Sequence, residues 1–215
     1  ERFSTNKYGW FRWVFDKLDD LPINAKILEL GCGPAYLWQQ SAERILAGWD
    51  VTLSDLSPGM LAAAQENLVS VEHQFTYREI DAQAIPFDDK TFDIVIANHM
   101  LYHIPDRPKA FAEIRRILKK DAFLLATSNG EQHLAEIDMW LKKLCPNEDF
   151  TPFRSPFTLE NGFMQMEPFF SQLEIQRYDD NLLITEIDPL IAYFNSTLKI
   201  DEIDPEKLTT LRQEL

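Results

Sequence analysis

Apolar residues in this chain gather into short runs of strand length, each followed by a turn and then by helical spacing. Lys26-Ile27-Leu28-Glu29-Leu30 is the first such run, closed by the glycine turn Gly31-Cys32-Gly33 and a helix for which Pro34 suits the first turn. Asp50 to Ser54 repeats the pattern, and Ser57-Pro58 opens a helix running through Ala62-Ala63-Ala64. Phe75 to Ile80 predicts a third strand. Phe92-Asp93-Ile94-Val95-Ile96-Ala97 is a fourth, apolar enough to sit centrally with both faces covered. A helix through Lys109 to Leu118 leads to a fifth strand, Ala122 to Ala126. This alternation predicts an α/β fold: a doubly wound, mostly parallel sheet with helices on both faces.

Beyond residue 130 the rhythm changes. His133 to Leu144 and Leu159 to Phe169 predict helices, so that residues 130–170 form a helical insert after the fifth strand. Leu173-Glu174-Ile175-Gln176-Arg177-Tyr178 alternates like a strand. Asp179-Asp180-Asn181 can turn it back into Leu182-Leu183-Ile184-Thr185, a hairpin supplying an antiparallel edge. The alternative places the last strand beyond Leu215; both stay open. At the other end, Asn6 to Trp13 is rich in aromatic residues. It reads either as a lid excluding water from a site or as an amphipathic helix packing Trp10 and Val14 onto the sheet. With no internal repeat or linker, residues 1–215 are expected to be one domain: a lid or helix over 1–20, a core over 25–128 and the insert. The chain opens at Glu1 and closes at Leu215 within helical spacing, which reads as a segment of a longer polypeptide.

Charge and cysteine content narrow the chemistry. A formal net charge of -14, from 35 acidic and 21 basic residues, repels phosphate backbones and argues against nucleic-acid partners. Two cysteines, Cys32 and Cys145, suit free thiols in the cytoplasm, and without clustered histidines they give no zinc signature. No apolar run approaches a membrane span, and no signal-peptide pattern opens the chain. Oligomeric state is not legible.

Ligands of open α/β sheets sit outside the carboxyl ends of the strands, so the residues at those ends carry the functional reading. After the first strand come Glu29, Gly31, Cys32 and Gly33. A dinucleotide fingerprint needs glycine at position 36, where this chain has Tyr36, and a P-loop needs a lysine that is absent. A carboxylate at Glu29 instead suits the ammonium group of an amino-acid ligand, directly or through water. After the second strand, Asp55 and Leu56 follow; a carboxylate there can accept from both hydroxyls of a ribose. Asp81 and Ala82 follow the third strand, where the aspartate can accept from an adenine amine and the next amide can donate to the ring. Asn98 and His99 follow the fourth. Taken together, these ends suit an adenosine ligand with an amino-acid tail.

The runs ILELGCGPAYLW, VTLSDLSPGMLAAAQEN, IDAQAIPFDDKTFDIVIANHMLYHIPD and FAEIRRILKK, in this order, resemble the successive motifs of class I S-adenosylmethionine-dependent methyltransferases. The likeness covers about residues 25–128 and is greatest to the branch containing quinone-biosynthesis C-methyltransferases and other small-molecule enzymes. It implies a Rossmann-like fold, S-adenosyl-L-methionine as cofactor, and methyl transfer to a small O, N or C nucleophile. By the same resemblance the glycine turn backs the methionine moiety, Asp55 binds ribose, Asp81 and Ala82 frame adenine, and Met60 packs on the adenine. Ala35 departs from the pattern, since many members carry a third glycine there.

Direct displacement at a sulfonium methyl needs a base only when the nucleophile must lose a proton. Histidine is best matched to that near neutral pH, and His99 and His103 follow the fourth strand. Either or both can equally shape the pocket or cap the loop before Pro105. Tyr102 can orient an acceptor, Tyr8 is placed for cofactor contact, and Asn129, Glu131 and His133 are further candidates. Trp140, Phe150, Phe153, Phe157, Phe163, Met164, Met166, Phe169 and Phe170 of the insert suit an apolar acceptor pocket or, equally, core. A cofactor-binding subunit that regulates a partner would need the same motifs. A nicotinamide-dependent oxidoreductase fits less well, given Tyr36 and Glu29.

Overall fold

The computed structural model describes residues 3–137, 139 and 155–198. The chain divides into two compact units, one of residues 8–131 and 155–177, the other of the residues before 8, 132–154 and those from 178 on.

In the first unit five strands form one sheet: β1 (Lys26–Leu30), β2 (Asp50–Asp55), β3 (Phe75–Glu79), β4 (Phe92–Asn98) and β5 (Leu118–Thr127), in the order β3-β2-β1-β4-β5. Every neighbouring pair is parallel, with Ile27 opposite Val51 on one side of β1 and Ile94 on the other. The doubly wound fold expected from the sequence is what forms. Alternation along β1 explains its two covered faces. Ile27 joins one buried cluster with Val51, Leu53, Ile94 and Ile96, while Leu28 and Leu30 join another with Val95 and Ala97.

Helices cover each face. α1 (Trp10–Phe15) buries Val14 and Phe15, and α2 (Tyr36–Gln40) buries Leu37 and Trp38 in the first cluster. Of the aromatic N-terminal stretch, residues from Trp10 on are helical, and this helix packs on the core through Val14 and Phe15. α3 (Pro58–Asn67) starts as its sequence predicts, with Ser57 Oγ accepting from Met60 N at 3.4 Å and Pro58 in the first turn. α4 (Arg107–Ile117), capped by Asp106, buries Ala110, Phe111, Ile114 and Ile117 against the second cluster. These positions recur at helical spacing, and burying each large one contributes roughly 1.5–3 kcal/mol.

The insert corrects several expectations. The helix expected over Leu159 to Phe169 is confined to α5 (Gly162–Met166). Residues 159–161 form a turn in which Thr158 N donates to Asn161 Oδ1 (3.0 Å) and Asn161 N to Thr158 Oγ1 (3.2 Å). Pro168 has no N–H with which to continue the helix. Phe157, Phe169 and Phe170 are core: their rings lie 6.1, 5.6 and 6.2 Å from Phe111. Phe163 and Met164 are exposed, and Trp140, Phe150 and Phe153 lie outside the described residues. Of the helix expected over His133 to Leu144, residues 135–137 are helical and most of the rest lies outside the described residues.

The hairpin does not form, because Leu173 to Tyr178 carries no strand. In the second unit Leu182 instead bridges Ser4, while Thr5 N donates to Asn181 O (2.9 Å) and Leu183 N to Phe3 O (2.7 Å). Asp180 fixes this pairing by accepting from Ser4 Oγ at 2.8 Å and Asn6 N at 2.9 Å. A strand-like alternation needs a partner ladder, and residues 3–5 take the place that 173–178 would have filled. α6 (Ile187–Leu198) lies in the same unit. No described helix is long and apolar enough to cross a membrane.

Candidate functional site

The carboxyl ends of β1, β2 and β4 meet around the glycine turn, all within the first unit. Gly31 and Gly33 have φ of 64° and 52°, and Ala35 enters α2 from the same left-handed region at 59°. The two glycines differ in what surrounds them. A Cβ on Gly31 would stand 2.7 Å from the Cβ of Met100, whereas one on Gly33 would meet nothing within 4 Å. Gly31 is therefore required by packing, and Gly33 faces open space. Gly31→Ala is expected to lower unfolding free energy by about 2–3 kcal/mol in urea melts, from left-handed strain plus overpacking. Gly33→Ala should lose only about 1–2 kcal/mol, for the strain alone.

Backbone and side chains of β2 hold this turn. Cys32 N donates to Ser54 O (2.8 Å), and Ser54 Oγ to Glu29 O (2.8 Å). Asp55 accepts from Gly33 N through Oδ2 (3.0 Å) and from Ser57 N through Oδ1 (2.9 Å). One carboxylate thus fixes both the glycine turn and the start of α3, and each of its oxygens keeps a further lone pair. Leu56 and Met60, just beyond, are exposed at 64% and 44%.

Glu29 lies on the α1/α2 side of β1, 2% exposed, and its Oε2 accepts from Trp38 Nε1 at 2.6 Å. Burial raises its pKa to about 8, against the indole's opposing hydrogen bond and with help from the Asp55 charge. Burial likewise raises the Cys32 thiol, as do the charges of Glu29 and Asp55, so that it is an inert packing group.

At the end of β3, Asp81 accepts from Gln83 N (2.8 Å) and Gln83 Nε2 (3.0 Å), bonds that lower its pKa, and Ala82 beside it is buried. At the end of β4, Thr127 Oγ1 bonds Asn98 Oδ1 and accepts from His99 N (3.0 Å). His99 adopts a φ of 53°, and its ring lies 5.1 Å from that of Trp10. His103 is exposed beside Tyr102, ring centroids 4.5 Å apart. Tyr8 points elsewhere: its hydroxyl donates to Asp16 Oδ2 (2.6 Å) and Arg12 covers its ring.

The structure thus links Glu29, the glycine turn and Asp55 in one network and Asn98 with His99 in another. Tyr8 and Asp81 have their own local partners. Sequence reasoning missed Trp38, Gln83 and Thr127, the partners of Glu29, Asp81 and Asn98. Only Trp38 left a trace, as a large apolar residue beside Leu37 at the start of a helix.

Residues 28–126 match the methyltransferase domain family. Over that span, a little under half of the chain, the sequence resembles the class I S-adenosylmethionine-dependent methyltransferases. The chain is 36% identical over 118 residues to demethylmenaquinone methyltransferase of Lactiplantibacillus plantarum, covering 53% of this chain and 50% of that protein. It is 27% identical over 151 residues to human mitochondrial arginine-hydroxylase NDUFAF5, covering 69% of this chain and 42% of that protein. The chain therefore spans about half the length of these relatives. A solved candidate methyltransferase from Bacillus halodurans shares the fold with a TM-score of 0.56 at 22% identity, covering 74% of this chain and 67% of that one.

Proposed function

We propose that this chain transfers the methyl group of S-adenosyl-L-methionine to a small-molecule acceptor in the cytoplasm. The observation that carries the reading is Asp55, which ties Gly33 N to Ser57 N and keeps acceptor capacity beside the open space at Gly33. That donor and acceptor set fits the cofactor. Asp55 would hold the ribose hydroxyls; Gly31, Cys32, Gly33 and Asn98 would line the methionine portion; Glu29 would balance its ammonium. Asp81 and Ala82 would frame the adenine, with Leu56 and Met60 against its faces. Tyr8 would join only by giving up its bond to Asp16.

The cofactor, when bound, supplies a methyl group activated on a sulfonium sulfur. This chain's part is to bind it, orient it and exclude water, since alignment alone provides much of the acceleration. His99, held through its amide by Thr127 and packed on Trp10, is the better-placed of the two histidines to accept an acceptor's proton. His103 is the exposed alternative. Of the insert, residues 155–170, which lie in the same unit as the site, would contribute acceptor contacts. Support for a small acceptor comes from the demethylmenaquinone methyltransferase relative and from a net charge of -14, which disfavours nucleic acid.

Titration calorimetry of the folded chain with S-adenosylmethionine, S-adenosylhomocysteine and NAD tests the reading. Micromolar binding of the first two and none of NAD is expected. Folded protein that binds neither adenosyl ligand overturns it.

A further inference from the structure

Glu29 stands out as a buried acid with no cationic partner among the described residues. On β1 its neighbours in the first cluster are apolar, Ile27 beside it and Ile94 and Ile96 on β4. α2 offers the indole N–H of Trp38, a neutral donor to one oxygen. α1 presents Phe15 to that indole at 5.9 Å, and its charged residues are engaged elsewhere: Arg12 over Tyr8, and Asp16, just after it, with Arg44 at 2.8 Å. The remaining titratable groups near it, Asp55 on β2, Cys32 in the turn and, through Cys32, Tyr77 on β3, add negative charge or none. No ion pair among the described residues reaches it.

We propose that Glu29 is a proton-exchanging counter-charge: its carboxyl is neutral while the site holds no cation and surrenders its proton to solvent as the ammonium of the cofactor's amino-acid tail arrives. The inference rests on the proposed cofactor. The balance is simple. The Glu29 O–H bond breaks, its electron pair stays on the carboxylate, and the proton passes to buffer while the ammonium keeps all three of its own. An unpaired buried carboxylate is disfavoured, and an opposite charge within about 4–6 Å restores the ionised form. Burial that lifts the group to about pH 8 puts the exchange in the physiological range. Ligand affinity should then fall about tenfold per pH unit below 8, because each binding event must displace a proton.

The test is titration with S-adenosylhomocysteine at pH 7 in phosphate and in Tris, whose ionisation enthalpies differ. 5′-Deoxy-5′-methylthioadenosine, which keeps the adenosine and lacks the ammonium, is run alongside. Close to one proton released per S-adenosylhomocysteine, and almost none per methylthioadenosine, is the expected result. Glu29→Gln should bind S-adenosylhomocysteine without release. Wild-type binding with no net proton release, or with equal release for both ligands, overturns the inference while leaving the cofactor reading intact. If S-adenosylhomocysteine itself does not bind, both fall. The two wild-type titrations decide the question even where Glu29→Gln does not fold.

Discussion

Asp55→Ala is expected to weaken S-adenosylhomocysteine binding about 100-fold while shifting the melting temperature by only a few degrees. Two separate losses produce the binding effect. Charge-assisted hydrogen bonds to the ribose hydroxyls go, each worth about 1.5–3 kcal/mol. The tie between Gly33 N and Ser57 N goes as well, so the glycine turn and the start of α3 lose their common anchor. The fold should survive because Ser57 is exposed and Gly33 only half-buried, so that water can replace the carboxylate at these amides. Asp55→Asn, with one acceptor oxygen remaining, should fall between wild type and alanine. Calorimetry gives the affinities and a thermal melt confirms folding. Unchanged affinity in well-folded Asp55→Ala would remove this residue from the site.

Trp38→Ala should have the largest effect on stability. The indole is fully buried, 5.9 Å from the rings of Phe15 and Phe75, and it bonds the Glu29 carboxyl. Truncating a buried tryptophan costs about 3–5 kcal/mol, and leaving Glu29 without its donor adds about 1–3 kcal/mol. That sum is comparable with the whole stability of a typical domain, about 5–15 kcal/mol, so the variant should be largely unfolded or melt at low urea. Trp38→Phe keeps most of the ring contact and deletes the N–H; a loss of about 1–3 kcal/mol is expected. Urea midpoints separate the two contributions. A phenylalanine variant as unstable as the alanine would mean that the bond to Glu29 outweighs the packing.

What the sequence reveals tracks how local the determining physics is. β1 and β4 are legible because a strand covered on both faces must be apolar along its length, and Ile27-Leu28 and Ile94-Val95-Ile96 are. The start of α3 is legible because Ser57-Pro58 carries its own cap. Leu173 to Tyr178 misleads because its alternation matches a strand, while pairing depends on residues elsewhere. The true pairing, Leu182 with Ser4, is held by Asp180 across nearly the full length of the chain. The acids at the strand ends stand out in sequence, since topology places them there. Their partners do not: Trp38 reads only as an apolar position, and Thr127 as the end of a strand. Side-chain hydrogen bonds between distant elements leave no periodic trace.

The central position of β1 also sets the order in which the molecule can assemble. β2 and β3 are near neighbours in the chain, whereas the partners of residues 27–29 on the other side are residues 94–96 of β4. Closing that longer loop costs more chain entropy, and non-local pairing of this kind slows folding. Met100, which backs Gly31, comes later still. On a ribosome the glycine turn is made early and waits, without its far wall, until β4 and the segment after it emerge. Competence to bind a nucleotide-like ligand thus waits for the β1–β4 ladder and does not come with the glycine turn itself.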